Sequence, residues 1–304
     1  MENLLSISVI VSWALAVAGV AGYLAAVARE VTYVTLADGR QQERAIPLLY
    51  RALLPFVGNL LPLVSRPMFA QQVMAADEML VSSGFEGLLS GREFVALKFL
   101  VPIAVAPLLA LFGFAVMPTL LETGPETGVM LLVLGVFYAH VQPLMWLRGV
   151  LKRRHLSIQK ALPFVLDILT LSVEAGMDFI SALQRNCQSR RLDPLNEELL
   201  RMTKEIQVGS SRRDALRNMA ERVKQPDLKS VAFALIQADE LGVSIGSILR
   251  IQSEQLRSRR FDRAEKLAAE APVKMLGPLM LCIFPAVFII LLGPVLSQAL
   301  KGMF

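Results

Sequence analysis

The chain has 304 residues, 54% of them hydrophobic and only 19% charged, with a mean hydropathy of +0.53. Soluble globular chains carry more charge, so the composition argues against an ordinary soluble enzyme and for a membrane class. The net charge of +5 and pI near 9.4 do not call for nucleic acid, because basic residues equally anchor cytoplasmic loops to anionic lipid.

In chain order, Leu4 to Ala28 comes first, 25 residues without a charge. At about 1.5 Å per residue it can cross a hydrocarbon core of roughly 30 Å. Ala26-Val27-Ala28 resembles a secretory cleavage site, yet Glu2 makes the start acidic and the apolar stretch is too long. Residues 1–28 are therefore read as a retained anchor, with Ala14, Ala18, Gly22 and Ala26 as a small-residue stripe.

Residues 29–98 form a cytoplasmic helical lead-in region. Ala52 to Ser65 is apolar but short, and Pro55 and Pro62 break it, so an interfacial or packed segment is expected. From Pro67 the pattern turns helical, with Gly84 as a stop. Ser90 and Glu93 have capping-box spacing, opening a helix that runs into the next span. Residues 99–147 hold a pair of spans, Phe99 to Leu121 and Thr127 to Leu147. Met275 to Leu300, within 275–304, is the fourth.

Thirty of the 31 Lys and Arg residues lie in 29–98 and 148–274, which a four-span topology places on one side. Positive charge stays in the cytoplasm. The expectation is a multi-pass protein of the bacterial inner membrane with both termini periplasmic.

Residues 148–274 read as a cytoplasmic helical unit large enough for its own core. Leu162, Val165, Leu169 and Val173 repeat at helical spacing before Gly176. Asp178, Pro194, Ser211 and Pro226 each open a further helix, with Gly209 and Gly242 as stops. A sixth helix starts near Ser244 and leads through Pro272 into the last span. The fold class is an all-α integral membrane protein: four transmembrane helices plus a cytoplasmic six-helix bundle.

Motifs for chemistry are missing. The sequence holds no P-loop, GxSxG, HExxH or GxGxxG. His140 and His155 have no carboxylate or cysteine at ligand spacing, and Cys187 and Cys282 form no CxxC. No catalytic residue, cofactor site or metal site is expected. His140 reads as a packed or hydrogen-bonded polar group inside a span, although an intramembrane ionisable group is a functional candidate by default.

Two polar features stand out. Asp167, Thr170 and Glu174 make an acidic stripe on an apolar helix, either solvated or facing a partner. Arg257, Arg259, Arg260, Arg263 and Lys266 line the sixth helix, interleaved with Asp262 and Glu265. Since that helix continues into a span, a push on it reaches the membrane.

Leu171-Ser172-Val173-Glu174-Ala175-Gly176-Met177 with Ala182-Leu183 resembles the opening of the type II secretion F domain. Ala234-Leu235-Ile236-Gln237-Ala238 with Gly242 and Ser244 is similar to it too, as is Leu256-Arg257 to Arg263-Ala264-Glu265. The closing run, Ala271-Pro272-Val273-Lys274-Met275-Leu276 through Phe284-Pro285-Ala286 to Gly293-Pro294, resembles the TadC-type platform protein of tight-adherence (Tad, type IVc) pili. Asp178 and Gly277 depart from that pattern. The resemblance implies a non-enzymatic inner-membrane platform that couples a cytoplasmic hexameric secretion ATPase to pilin extraction and pilus assembly. Its implied partners are a paralogous F-domain platform protein, the ATPase, pilin subunits and membrane lipid, with no nucleic acid and a homo- or hetero-oligomeric state. Candidate interface or coupling residues are Asp167, Glu174, Gly176, Gln237, Gly242, Arg257, Arg260, Arg263, Glu265, Pro272 and Lys274. A transporter or a membrane-embedded enzyme is the alternative; the first would need polar midplane groups beyond His140, the second clustered ionisable groups at the membrane face.

Overall fold

The computed structural model describes residues 33–35, 41–43, 46–111 and 125–301. The expected first span with its small-residue stripe, and the second span beyond residue 111, lie outside the described residues. A two-stranded antiparallel hairpin, β1 (Tyr33–Thr35) against β2 (Gln41–Glu43), adds to a lead-in region read as helical. All other regular structure among the described residues is helical.

The short apolar segment packs. α1 (Leu48–Val57) and α2 (Leu61–Val64) bury Tyr50, Ala52, Val57 and Val64. A 3-10 turn at Pro67–Phe69 leads into α3 (Ala70–Ser83). Gly84 ends α3 at φ +81°, a left-handed conformation that favours glycine, and the Phe85 N–H reaches back to the Leu80 carbonyl. The Ser90–Glu93 capping box forms, with reciprocal bonds of 2.8 and 3.3 Å, at the start of α4 (Gly91–Leu111). Gly91 has no room for a side chain: a Cβ would sit 2.5 Å from the Val73 carbonyl oxygen. That close approach lets α3 lie against α4, and Asp77 accepts the Gly91 N–H across the contact.

α5 (Pro125–Glu174) runs unbroken for 50 residues, so the third apolar run and the first helix of the polar unit are one rod of about 75 Å. Four shorter helices follow: α6 (Phe179–Ser189), α7 (Pro194–Gln207), α8 (Arg212–Val223) and α9 (Pro226–Leu241). α10 (Ile245–Lys301) spans 57 residues, about 85 Å, and carries both the basic face and the last apolar run. Asp178, Asp193, Ser211 and Gln225 cap α6 to α9 in turn, each side chain accepting an orphan N–H. Asp178 also reaches Arg212 at 3.5 Å, which accounts for an acid at that position.

The core of this unit joins Ile158, Leu162, Val165 and Leu169 of α5 to Leu183, Leu195, Met202, Leu216, Met219, Leu228 and Leu249. Truncating one such leucine to alanine costs about 2–5 kcal/mol. A second core gathers α1, α3 and α4 around Trp146 and Leu147 of α5.

α5 and α10 are each long and apolar enough to cross a membrane by length and composition. On α10 the apolar stretch has no cover from the other described residues: Leu281 is 78% exposed and Ile289 72%. Soluble monomers rarely expose an apolar patch of this size, which marks a membrane or protein contact.

Candidate functional site

Asp167 and Glu174 stand seven residues apart on α5, and Arg250 and Arg257 stand seven apart on α10. Seven residues return a helix to nearly the same face. Because the helices run antiparallel, these positions meet as two rungs. Glu174 accepts from Arg250 at 2.8 Å, and Asp167 accepts from both Arg257 and the buried Ser253. The acidic stripe and the basic helix therefore face each other within one chain. Their side chains remain between 33% and 59% exposed. Exposed pairs contribute at most about 1 kcal/mol each, so the rungs set register more than stability.

Further along the seam, Pro163 interrupts the hydrogen-bond ladder of α5. Proline has no N–H, so the carbonyl four residues earlier, that of Gln159, loses its helical donor. Arg260 supplies one from α10, donating to the Gln159 and Lys160 carbonyls at 2.8 Å each. α4 and α5 repeat the arrangement. Pro102 frees the Lys98 carbonyl on α4, and His140 on α5 hydrogen-bonds to the Lys98 backbone with its ring against Phe99. That is a structural role for His140.

The seam ends at Asp227, in the first turn of α9, where an acid also suits the helix dipole. Its carboxylate, only 6% exposed, takes bonds from Gln159 and Gln225 and ion pairs from Arg259 at 3.2 Å and Arg263 at 3.5 Å. Burial pushes its pKa up, but the bonds from Gln159, Gln225 and Arg259 and the charge of Arg263 outweigh it. The carboxyl is held below its usual range. Asp227 thus ties α5, α9 and α10 together.

A second polar cluster lies beneath, between α5, α7 and α8. Arg154 pairs with Glu197 at 2.7 Å and Glu198 at 2.9 Å, and Arg222 pairs with Glu198 at 2.8 Å and Glu205 at 3.0 Å. Beside it the His155 ring nitrogen meets the Val223 carbonyl at 2.8 Å; burial, with the charge of Arg154, lowers the His155 pKa against that bond. The same edge joins the unit to α3. Ser82 donates to the Arg222 carbonyl, Lys224 pairs with Glu78 at 2.6 Å, and Arg201 with Glu86. The Arg201 hydrogen bond lowers the Glu86 pKa against desolvation.

Of the positions singled out from sequence, Asp167, Glu174, Arg257, Arg260 and Arg263 meet in the α5–α10 seam. Arg260 and Arg263 find the Pro163-freed carbonyl and Asp227 rather than the acidic stripe. Gly176 (φ +92°) and Gly242 (φ +67°) make the turns that bring α6 and α10 back. Gln237 and Glu265 are exposed and outside the seam. Pro272 sits within α10, and Lys274 pairs with Glu270 on the same helix at 3.0 Å. Beside Pro226, Asp227 reads in the sequence as part of a helix start, and Arg154, Glu198 and Arg222 read as ordinary charges. The signal for Asp227 was its place just after Pro226, but its partners come from helices 68 and 32 residues away. Cys187 is buried, and burial pushes its thiol up to about 11, as befits a core residue rather than a nucleophile. Among the described residues no three His, Cys, Asp or Glu side chains gather as a metal site would require.

Residues 165–293 match the family described as type II secretion system (T2SS), protein F. The match takes in the ladder, Asp227 and the apolar half of α10, and this stretch is similar to that domain. No curated protein and no solved structure matches the chain.

Proposed function

We propose that this chain is a non-enzymatic inner-membrane platform of a type II secretion-like or Tad-type pilus machine, coupling a cytoplasmic ATPase to pilin extraction and pilus assembly. The observation that carries it is the continuity of α10 inside the matched region. One helix runs without a break from the rungs at Arg250 and Arg257, past Asp227, through Pro272 and Lys274, into the exposed apolar stretch. Such a rod transmits displacement: an ATPase that binds two seam arrangements with different affinity shifts the rod between them. The partners under this reading are a paralogous F-domain protein, a hexameric secretion ATPase, pilin and lipid. The chain crosses the membrane four times with both termini periplasmic.

Inserting two glycines after Ala271 tests the coupling. It leaves the seam and the apolar run chemically intact and breaks their mechanical continuity. The insertion variant is expected to reach the membrane and co-purify with the ATPase, yet assemble no pili. Normal piliation would show that force does not pass along α10.

A further inference from the structure

Where α5 leaves its apolar stretch, a cavity of about 360 Å³ opens between α5, the start of α9 and α10. Arg148 follows directly on Leu147, the last residue of the apolar run, and Lys152 lies one helical turn further on the same face. Both are exposed and both line the cavity, with Arg263 entering from α10. Among the described residues neither Arg148 nor Lys152 has an ion-pair partner. The acid in the lining, Asp227, is already held by Arg259 and Arg263. Leu151 and Leu156 give the same cavity an apolar wall.

Two cations without an ion-pair partner among the described residues, at the end of an apolar run, suit a ligand with a phosphate at one end and hydrocarbon at the other. Their position, on the residues that close an apolar run, sets them at the depth of the headgroup phosphates, where basic pockets between helices capture anionic lipids. The volume falls in the range of about 300–1,000 Å³ usual for small-molecule sites.

We propose that this cavity is a specific site for an anionic phospholipid, its phosphate on Arg148 and Lys152 and its acyl chains running back along the apolar run that ends at Leu147. The site rests on reading α5 as membrane-spanning. A lipid held there touches all three helices that Asp227 joins, so bilayer composition bears directly on the seam.

The full chain, purified in mild detergent, is titrated separately with short-chain phosphatidylglycerol, phosphatidylcholine and inorganic phosphate, and the bound ligand is counted by native mass spectrometry. Phosphatidylglycerol is expected to bind saturably and phosphatidylcholine poorly. Arg148→Gln with Lys152→Gln should weaken retention about thirtyfold, two charges' worth of headgroup attraction. Arg148→Lys with Lys152→Arg should keep it, and so should Arg153→Gln, which removes an exposed charge outside the cavity. Equal retention by the double Gln variant and wild type overturns the site. Inorganic phosphate that binds as tightly as the lipid overturns the lipid source and assigns the cavity to a soluble anion. Fractionation of the same cells separates this from failure of the membrane reading: a chain found in the soluble fraction refutes that reading, whereas a membrane-bound chain without lipid preference refutes only the site.

Discussion

Arg260 on α10 donates at 2.8 Å to the carbonyl of Gln159 on α5, the oxygen that Pro163 deprives of its helical donor. A proline inside a helix normally leaves such a group to water. Here the neighbouring helix answers it, and the carbonyl freed in one rod becomes a contact with the other. If this relationship holds the seam, the effects of Arg260 and Pro163 must be coupled. Arg260→Ala should cost about 1 kcal/mol in chemical unfolding of the detergent-solubilised chain. In a Pro163→Ala background, where the amide is restored, the same change should cost less than about half as much. Equal costs in both backgrounds would mean that Arg260 serves only solvent.

Asp227 joins three helices through a carboxylate held below its ordinary range. A folded-state pKa below the unfolded value, about 3.9, means that its stabilisation is complete above that value and disappears as pH falls through the lower folded one. Asp227→Asn should cost about 1–3 kcal/mol at neutral pH. It should also flatten the loss of stability below about pH 4. Denaturant titrations at pH 7 and pH 3 test both, and an Asn variant as acid-sensitive as wild type would remove Asp227 from the explanation.

His155 follows the same sign at a higher pH. Burial lowers its pKa, so the folded chain prefers the neutral ring that donates to Val223. Its contribution is full above the unfolded value of about 6.5 and is lost as pH drops through the lower folded value. His155→Gln keeps a donor in reach and cannot titrate. The variant should therefore lose less stability between pH 7 and pH 5 than wild type; parallel curves would show that the ring is not what titrates.

The proposed four-span topology makes its own demand. A reporter placed after Phe304 should be active in the periplasm, and one inserted at the exposed Gly209–Ser210 turn should be active only in the cytoplasm. Residues 190–193 are a poorer site, because Asn196 ties the carbonyls of Cys187, Arg190 and Arg191 together. Cytoplasmic activity after Phe304 would sink the topology.

Local physics made much of this protein legible from its residues alone. Capping at Ser90, Asp178 and Ser211 and the left-handed stops at Gly84, Gly176 and Gly242 are settled within a few residues of chain, and each appears where the pattern placed it. So does the buried face of α5 at Leu162, Val165 and Leu169, because a helix face follows from its period. The pairing of the polar groups was different. Asp167 could have faced water, a partner or Arg260; that it meets Arg257, 90 residues away, depends on the antiparallel register of α5 and α10. Register across two rods is set by the whole core between them, and no local window contains it. The same is true of Asp227 and of the Arg154–Glu198–Arg222 cluster, whose members are ordinary surface charges until three helices fold them inward. The sequence determined the helices, their ends and their apolar faces; only the tertiary structure decided which charges are partners, since that choice is made by distance in space and not along the chain.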